Sequence, residues 1–149
     1  MPRVTKLSHA VLFVSDLEQS RPFYEKAFGL EYVTGRTGAA FLRAPGSEQH
    51  HDLALMEVGP QALNPPQGSV GLYHLAWEVE TIDELAESVE SLLELGALVG
   101  ASDHGATKSL YGKDPDGIEF ENSVKTVPLD LAAELERWST RKEAQPTQG

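Results

Sequence analysis

"HAVLFVSDLEQS" (residues 9–20) and "HLAWEVETIDEL" (residues 74–85) share an order of features that decides the fold. Each stretch begins with a histidine, continues as a β-rich run and passes into a segment with helix-capping residues. His9 and His74 lie 65 residues apart, and the valine that ends each run falls at the same offset. The chain is therefore predicted to contain an internal repeat, supported more by the order of its elements than by identity.

Each half is predicted to form a βαβββ unit. In the first half a strand over residues 6–14 leads into a helix that Ser15 or Asp16 can cap. In the second half Thr81 and Glu84 make a capping box ahead of an apolar stripe with helical spacing. The remaining predicted elements are a helix over 81–96 and strands over 30–34, 38–44, 51–58, 72–80, 97–101, 107–112 and 117–124.

We predict an α+β fold in which neither unit can bury its sheet alone. The two units would join into a curved eight-stranded mixed sheet around a cleft. The predicted divisions are one domain over 1–127 (repeat one 5–58, a Pro- and Gly-rich connector 59–69, repeat two 70–124), an amphipathic C-terminal helix over 128–142 and a disordered tail over 143–149.

Composition excludes several classes of partner. A net charge of −11 over 149 residues argues against a nucleic-acid or anionic-membrane surface, which needs clustered Lys and Arg. No apolar run approaches the ~20 residues of a membrane span. The chain has no cysteine, so disulfides, thiolate metal sites and a cysteine nucleophile are excluded. That absence fits a cytoplasmic protein.

His9, His74 and Glu121 are the candidate metal ligands. Strand periodicity puts His9 on one face with Val11 and Phe13. If the opposite faces of these strands pack on helices, all three candidates can point into the cleft. Two imidazoles and one carboxylate form the set used by non-haem Fe(II) enzymes, which leaves positions open for substrate and dioxygen. A single strand histidine is more often structural, but two at equivalent repeat positions favour a site.

Three stretches resemble the vicinal oxygen chelate superfamily: "HAVLFVSDLEQSRPFYEKAFGLE", "YHLAWEVE" and "YGKDPDGIEFE". That superfamily includes glyoxalase I, extradiol ring-cleaving dioxygenases, fosfomycin-modifying enzymes and bleomycin-binding resistance proteins. The resemblance covers residues 5–124 and implies metal ligands at His9, His74 and Glu121. Because the superfamily is functionally broad, the fold alone does not choose a reaction.

"EQHHDLALM" and "DHGATKSLYGKDPDGIEFE" resemble the extradiol dioxygenases more closely. By that resemblance His51 is the acid–base catalyst toward bound substrate and dioxygen. Tyr111, ten residues before Glu121, would be the active-site tyrosine. The expected pocket residues are His104, Phe13 and Leu53. The implied activity is cleavage of a catechol-like aromatic diol by a one-domain, Fe(II)-dependent dioxygenase.

Two other functions fit the same cleft. One is a resistance protein that sequesters an antibiotic or an aromatic natural product, although the retained metal ligands count against pure sequestration. The other is a glyoxalase- or epimerase-like lyase or isomerase using Zn(II), Ni(II), Co(II) or Mn(II). Glyoxalase I takes a carboxylate from the strand corresponding to 52–58, where Glu57 would serve only through a bulge.

Proteins of this fold commonly pair as homodimers, some sharing metal ligands between chains, and we expect a homodimer here.

Overall fold

A computed structural model describes residues 1–125, which form eight strands and two helices. The strands are β1 Ala10–Val14, β2 Glu31–Arg36, β3 Ala39–Arg43, β4 Leu53–Glu57, β5 His74–Val79, β6 Leu98–Asp103, β7 Thr107–Lys113 and β8 Glu119–Lys125, and the helices are α1 Leu17–Phe28 and α2 Ile82–Glu94. The C-terminal helix predicted over 128–142 and the tail predicted over 143–149 lie outside the described residues.

The two halves repeat one topology, as the sequence predicts. The first sheet has the strand order β1-β4-β3-β2 and the second has β5-β8-β7-β6. In each sheet the first and last strands of the repeat pair in parallel, and the other neighbours are antiparallel. The prediction of an α+β fold with two βαβββ units is therefore confirmed.

The eight strands form two four-stranded sheets. β1 and β5 are both edge strands, and within residues 1–125 no ladder of hydrogen bonds joins one sheet to the other. The inner strands of each repeat make their backbone hydrogen bonds within that repeat's own sheet. The two sheets therefore associate through side chains. The predicted eight-stranded assembly is thus a pair of mixed sheets, and it is not a closed barrel.

The ends of both helices follow local signals in the sequence. The Asp16 side chain accepts a hydrogen bond from the backbone N–H of Glu18, and α1 stops at Gly29, whose φ of 64° favours glycine. The predicted capping box of Thr81 and Glu84 is present at the start of α2. Neither helix, nor any other helix among residues 1–125, is long and apolar enough to cross a membrane.

One apolar core joins the two halves. The Phe28 ring of α1 lies 5.3 Å from the Trp77 ring of β5 and 4.9 Å from the Phe120 ring of β8, measured between centroids. Phe23, one turn earlier, lies 6.0 Å from Phe120. The helix of the first repeat therefore packs on the sheet of the second.

The "DPDG" turn between β7 and β8 binds the second repeat to the first. The Tyr24 hydroxyl donates to Asp114 Oδ2 over 2.8 Å, and the Ser15 backbone N–H donates to Asp116 Oδ2 over 3.0 Å. Asp114 Oδ1 accepts from the backbone N–H groups of Asp116 and Ile118. Burial raises the pKa of Asp114, and the bond from Tyr24 opposes that rise.

Burial of Asp114 makes the stability of the fold depend on pH, and the bond from Tyr24 reduces that dependence. A carboxyl group whose pKa is raised on folding stabilises the fold most below its unfolded pKa, and this contribution falls as pH rises through the folded pKa. Tyr24→Phe removes a bond to the carboxylate, so the pKa of Asp114 should rise further. We expect the variant to lose about 1–3 kcal/mol of unfolding free energy, with a larger loss at pH 8 than at pH 4.

Urea unfolding at the two pH values measures this loss. Tyr73→Phe is the matched control, because Tyr73 is 77% exposed and its change should be neutral. An equal loss at both pH values would contradict a charge-dependent contribution from the bond.

Candidate metal centre

His74 and Glu121 meet on one face of the second sheet. We call this the site face: the face of β5, β8 and β7 that carries His74, Glu121 and Tyr111, opposite the face where Phe120 is buried. His74 Nε2 lies 3.3 Å from Glu121 Oε2, and the two side chains are 26% and 19% exposed. Two potential metal donors therefore lie side by side at a partly open surface.

The carboxylate of Glu121 is held from its other side. Ser109 Oγ on β7 donates to Glu121 Oε1 over 2.6 Å, while Oε2 faces His74. Ser109 itself is 2% exposed. The two oxygens of Glu121 therefore have different neighbours, a buried hydroxyl and an imidazole nitrogen.

Tyr111 lies directly across the antiparallel ladder from Glu121, so the two side chains share the site face. Its hydroxyl lies 3.1 Å from Ser102 Oγ on β6. Neither Ser109 nor Ser102 is among the residues that the sequence predicts for the site. The signal was available, because Ser109 stands two residues before Tyr111 on the same strand and therefore shares its face.

His9 and His51 form a second cluster, just before β1 and β4 of the first sheet. Their rings lie 4.5 Å apart between centroids, and the His51 ring also contacts Phe41 at 5.0 Å. Burial, with repulsion from His9 and His50, lowers the pKa of His51, while Asp52 opposes this effect. The neutral imidazole of His51 is therefore favoured near neutral pH, and a neutral imidazole can accept a proton.

The structure brings two of the three predicted ligands together. Within residues 1–125 no group of three His, Asp or Glu side chains is placed to hold a metal ion. His9 directly precedes an edge strand of the first sheet, whereas His74 and Glu121 lie on the second sheet. Side-chain periodicity predicts a shared face within a sheet, but it does not determine the separation between two sheets.

The paired donors suit a metal in their chemistry and spacing. Ligands bound at about 2.1 Å and at right angles to each other lie roughly 3 Å apart. The 3.3 Å between His74 Nε2 and Glu121 Oε2 is close to that value. Imidazole with carboxylate is also a donor combination used for divalent iron and manganese.

A small cavity of about 160 Å³ lies where the start of β1 approaches β5. Its lining includes His9 from the first sheet and Ala76 from the second. Ala76 is the register partner of Glu121 on β8. The cavity therefore lies beside His9, where residues of the two sheets approach each other.

The expected pocket residues differ in their surroundings. Phe13 is 72% exposed and shares its face with His9, as strand periodicity predicts. Leu53 is fully buried in the core, so the expectation that it lines the pocket is not met. It pairs with Ala10, whose parity is opposite to that of His9. His104 is exposed in the turn between β6 and β7, with its backbone N–H bonded to Thr107.

Glu57 does not serve as a cleft carboxylate. Its Oε2 accepts a 2.8 Å hydrogen bond from the backbone N–H of Leu17, the first residue of α1. It pairs with Val14 in a ladder that contains no bulge. The carboxylate is therefore used at the N-terminus of a helix, where negative charge is favourable. The fourth ligand of a glyoxalase I site is not supplied by this strand.

Residues 6–122 match the family described as the glyoxalase/bleomycin resistance protein/dioxygenase superfamily. With its paired sheets and its His- and Glu-bearing face, the chain is an α+β protein of the vicinal oxygen chelate fold. It belongs to the glyoxalase/bleomycin resistance protein/dioxygenase superfamily.

Several curated relatives match most of the chain. A catechol-2,3-dioxygenase of Bacillus subtilis is 34% identical over 118 residues, covering 78% of this chain and 40% of the relative. A biphenyl-2,3-diol 1,2-dioxygenase 2 of Rhodococcus globerulus is 34% identical over 137 residues, covering 89% of this chain and 70% of the relative. The metallothiol transferase FosB of Lysinibacillus sphaericus is 31% identical over 127 residues, covering 83% of this chain and 85% of the relative. The chain thus spans less than half the length of the catechol-2,3-dioxygenase it matches.

Solved structures share the fold. The fosfomycin resistance protein FosX of Listeria monocytogenes, in a complex with Mn(II) and sulfate, superposes with a TM-score of 0.66 at 23% identity. The match covers 91% of this chain and 99% of that one. The likeness concerns the arrangement of strands and helices.

Because Leu53 is buried and Phe13 is exposed, replacement of each by alanine should affect stability to very different degrees. Leu53→Ala should cost about 2–5 kcal/mol of unfolding free energy, because it leaves a cavity in a fully buried cluster. Phe13→Ala should change the stability of a single copy by less than about 0.5 kcal/mol, because within one copy the ring is mostly in solvent. Chemical denaturation of the two variants checks the difference, and a large loss for Phe13→Ala would show that its ring is covered in solution.

Proposed function

We propose that the protein is a divalent-metal-dependent extradiol-type dioxygenase, using Fe(II), that cleaves a catechol-like aromatic diol with dioxygen. The observation that carries the proposal is the pairing of His74 with Glu121 at 3.3 Å on the site face. The similarity to two diol dioxygenases, each at 34% identity, supports the choice of reaction. The absence of cysteine supports a cytoplasmic location.

His74 and Glu121 would hold the metal, with His9 as the third ligand. When bound, the metal would supply a centre that accepts the two adjacent oxygens of a diol and dioxygen at its open positions. The chain's own residues would bind the ring and move protons. Phe13 and Val11, exposed on the face of His9, give the ring an apolar wall.

His51 would be the acid–base catalyst. Its lowered pKa favours the neutral imidazole, which accepts a proton from a substrate hydroxyl and later returns it. The Tyr111 hydroxyl would donate a hydrogen bond to a substrate oxygen. Ser102 Oγ, 3.1 Å from that hydroxyl, would keep it oriented across the sheet.

We further propose that His9 reaches the metal from a second copy of the chain, in a homodimer. Within one copy His9 lies beside His51 and is not grouped with His74 and Glu121. Val11 and Phe13, which share the face of His9, are 50% and 72% exposed. A partner's site face would cover them, and burial of apolar surface would stabilise the dimer.

A binding or resistance function is the alternative. It is supported by the similarity to the metallothiol transferase FosB, at 31% identity over 127 residues. A protein with this function would hold its ligand without oxidising it. Oxygen consumption separates the two functions, because sequestration and thiol transfer need none.

The first test loads the full chain with Fe(II) under anaerobic conditions and measures oxygen uptake with catechol and 2,3-dihydroxybiphenyl. The wild type should bind iron stoichiometrically and consume oxygen. His74→Ala should lower both by at least ~100-fold, because one of the paired donors is lost. Glu57→Gln is the control and should keep metal binding, since Glu57 faces the helix end. Bound iron without oxygen uptake on any diol would reject the dioxygenase in favour of the alternative.

A complementation test locates His9. His9→Ala and His74→Ala chains, each defective alone, are co-expressed and the iron content of the mixture is measured. If ligands are shared between copies, roughly a quarter of the sites should recover, because half of randomly mixed dimers are heterodimers with one complete site each. No recovery would place His9 and His74 of the same chain at one metal.

A further inference from the structure

Ser109 contacts Glu121, one of the two paired candidate ligands, but is not itself a candidate ligand. Its hydroxyl donates to Glu121 Oε1 over 2.6 Å, and its residue is 2% exposed. The opposite oxygen, Oε2, is the one that faces His74 Nε2 at 3.3 Å. We propose that Ser109 is a positioning residue that reserves Glu121 Oε2 for the metal, an inference that rests on the proposed metal site.

The position of Ser109 is set by the sheet. β7 and β8 are antiparallel, with Tyr111 opposite Glu121 and Ser109 opposite Ser123. Ser109 is thus the diagonal neighbour of Glu121 on the site face, within reach of a long side chain. Because the residue is buried within a paired strand, its hydroxyl has little freedom to turn toward solvent.

The chemistry of the contact favours one mode of metal binding. A hydroxyl has a single proton, and here it is directed at Oε1. An oxygen that accepts a short hydrogen bond from a buried donor is less available as a second ligand, so Glu121 is predisposed to bind through Oε2 alone. If Glu121 binds through one oxygen, one more coordination position would stay open for substrate. A reaction with two incoming ligands requires that position.

The chain supplies a matched control on the same face. Ser123 is the register partner of Ser109, but its hydroxyl donates to the backbone carbonyl of Trp77 over 3.2 Å. Removing that hydroxyl changes the sheet without touching the carboxylate. A comparison of the two serines therefore separates positioning of Glu121 from general support of the strand.

The test measures Mn(II) affinity of the full chain by calorimetry, with no substrate present. Ser109→Ala should weaken binding about 10-fold, within the 10–100-fold range typical of residues that orient metal ligands. Ser123→Ala should stay within about 2-fold of the wild type. The visible spectrum of bound Co(II) should also change in Ser109→Ala, because Glu121 is then free to bind through both oxygens, and should be unchanged in Ser123→Ala.

Three outcomes decide the matter. Equal Mn(II) affinity and equal Co(II) spectra for Ser109→Ala and wild type, with loss of binding in His74→Ala, would overturn this inference and leave the proposed site standing. No binding by the wild type, or undiminished binding by His74→Ala, would overturn the proposed site and this inference with it. If Ser109→Ala does not fold, Ser109→Cys keeps the shape with a weaker donor and should show a smaller loss of Mn(II) affinity in the same direction.

Discussion

Alternation of side chains along strands is the constraint on which the structure depends. One face of each sheet packs on the core. Every second residue of a strand therefore lies on the opposite face and can contribute to a functional site. In the second sheet the inward positions include Phe120, and the outward ones include Glu121 and Tyr111. A shift of one residue in the pairing of β8 would exchange the core for the candidate site. Stability and chemistry are therefore set by the same register.

Local signals predicted much of this architecture. The capping box at Thr81 and the glycine that ends α1 follow from interactions between residues close in sequence, and both are present. The order of helices and strands along the chain follows from the pattern within each segment and is also present. Parity predicted that His74 and Glu121 share a face. The sequence analogy predicts that Leu53 lines the pocket, although its partner Ala10 lies on the strand face opposite that of His9. The structure buries Leu53 completely. The approach of the two sheets depends on packing between distant residues, which periodicity does not contain.

The candidate site differs between the two halves in its chemistry. The second half supplies a hydrogen-bonded carboxylate with an imidazole, whereas the first half supplies His9, His51 and exposed apolar side chains. Two repeats of one topology thus carry charged groups on one sheet and exposed apolar side chains on the other. The glyoxalase-like alternative needs a carboxylate from the first half. Glu57 of that half is instead bonded to the start of α1, so this alternative loses support.

The bond between Tyr24 and Asp114 joins residues that are 90 positions apart. Much of the first helix's buried surface, including Phe28, is likewise covered by strands of the second repeat. During synthesis the first repeat leaves the ribosome with those aromatic side chains uncovered until β7 and β8 follow. Contacts between distant residues also slow folding. The protein is therefore most exposed to aggregation while only its first half has been synthesised. At that stage a chaperone would have the most uncovered apolar surface to bind.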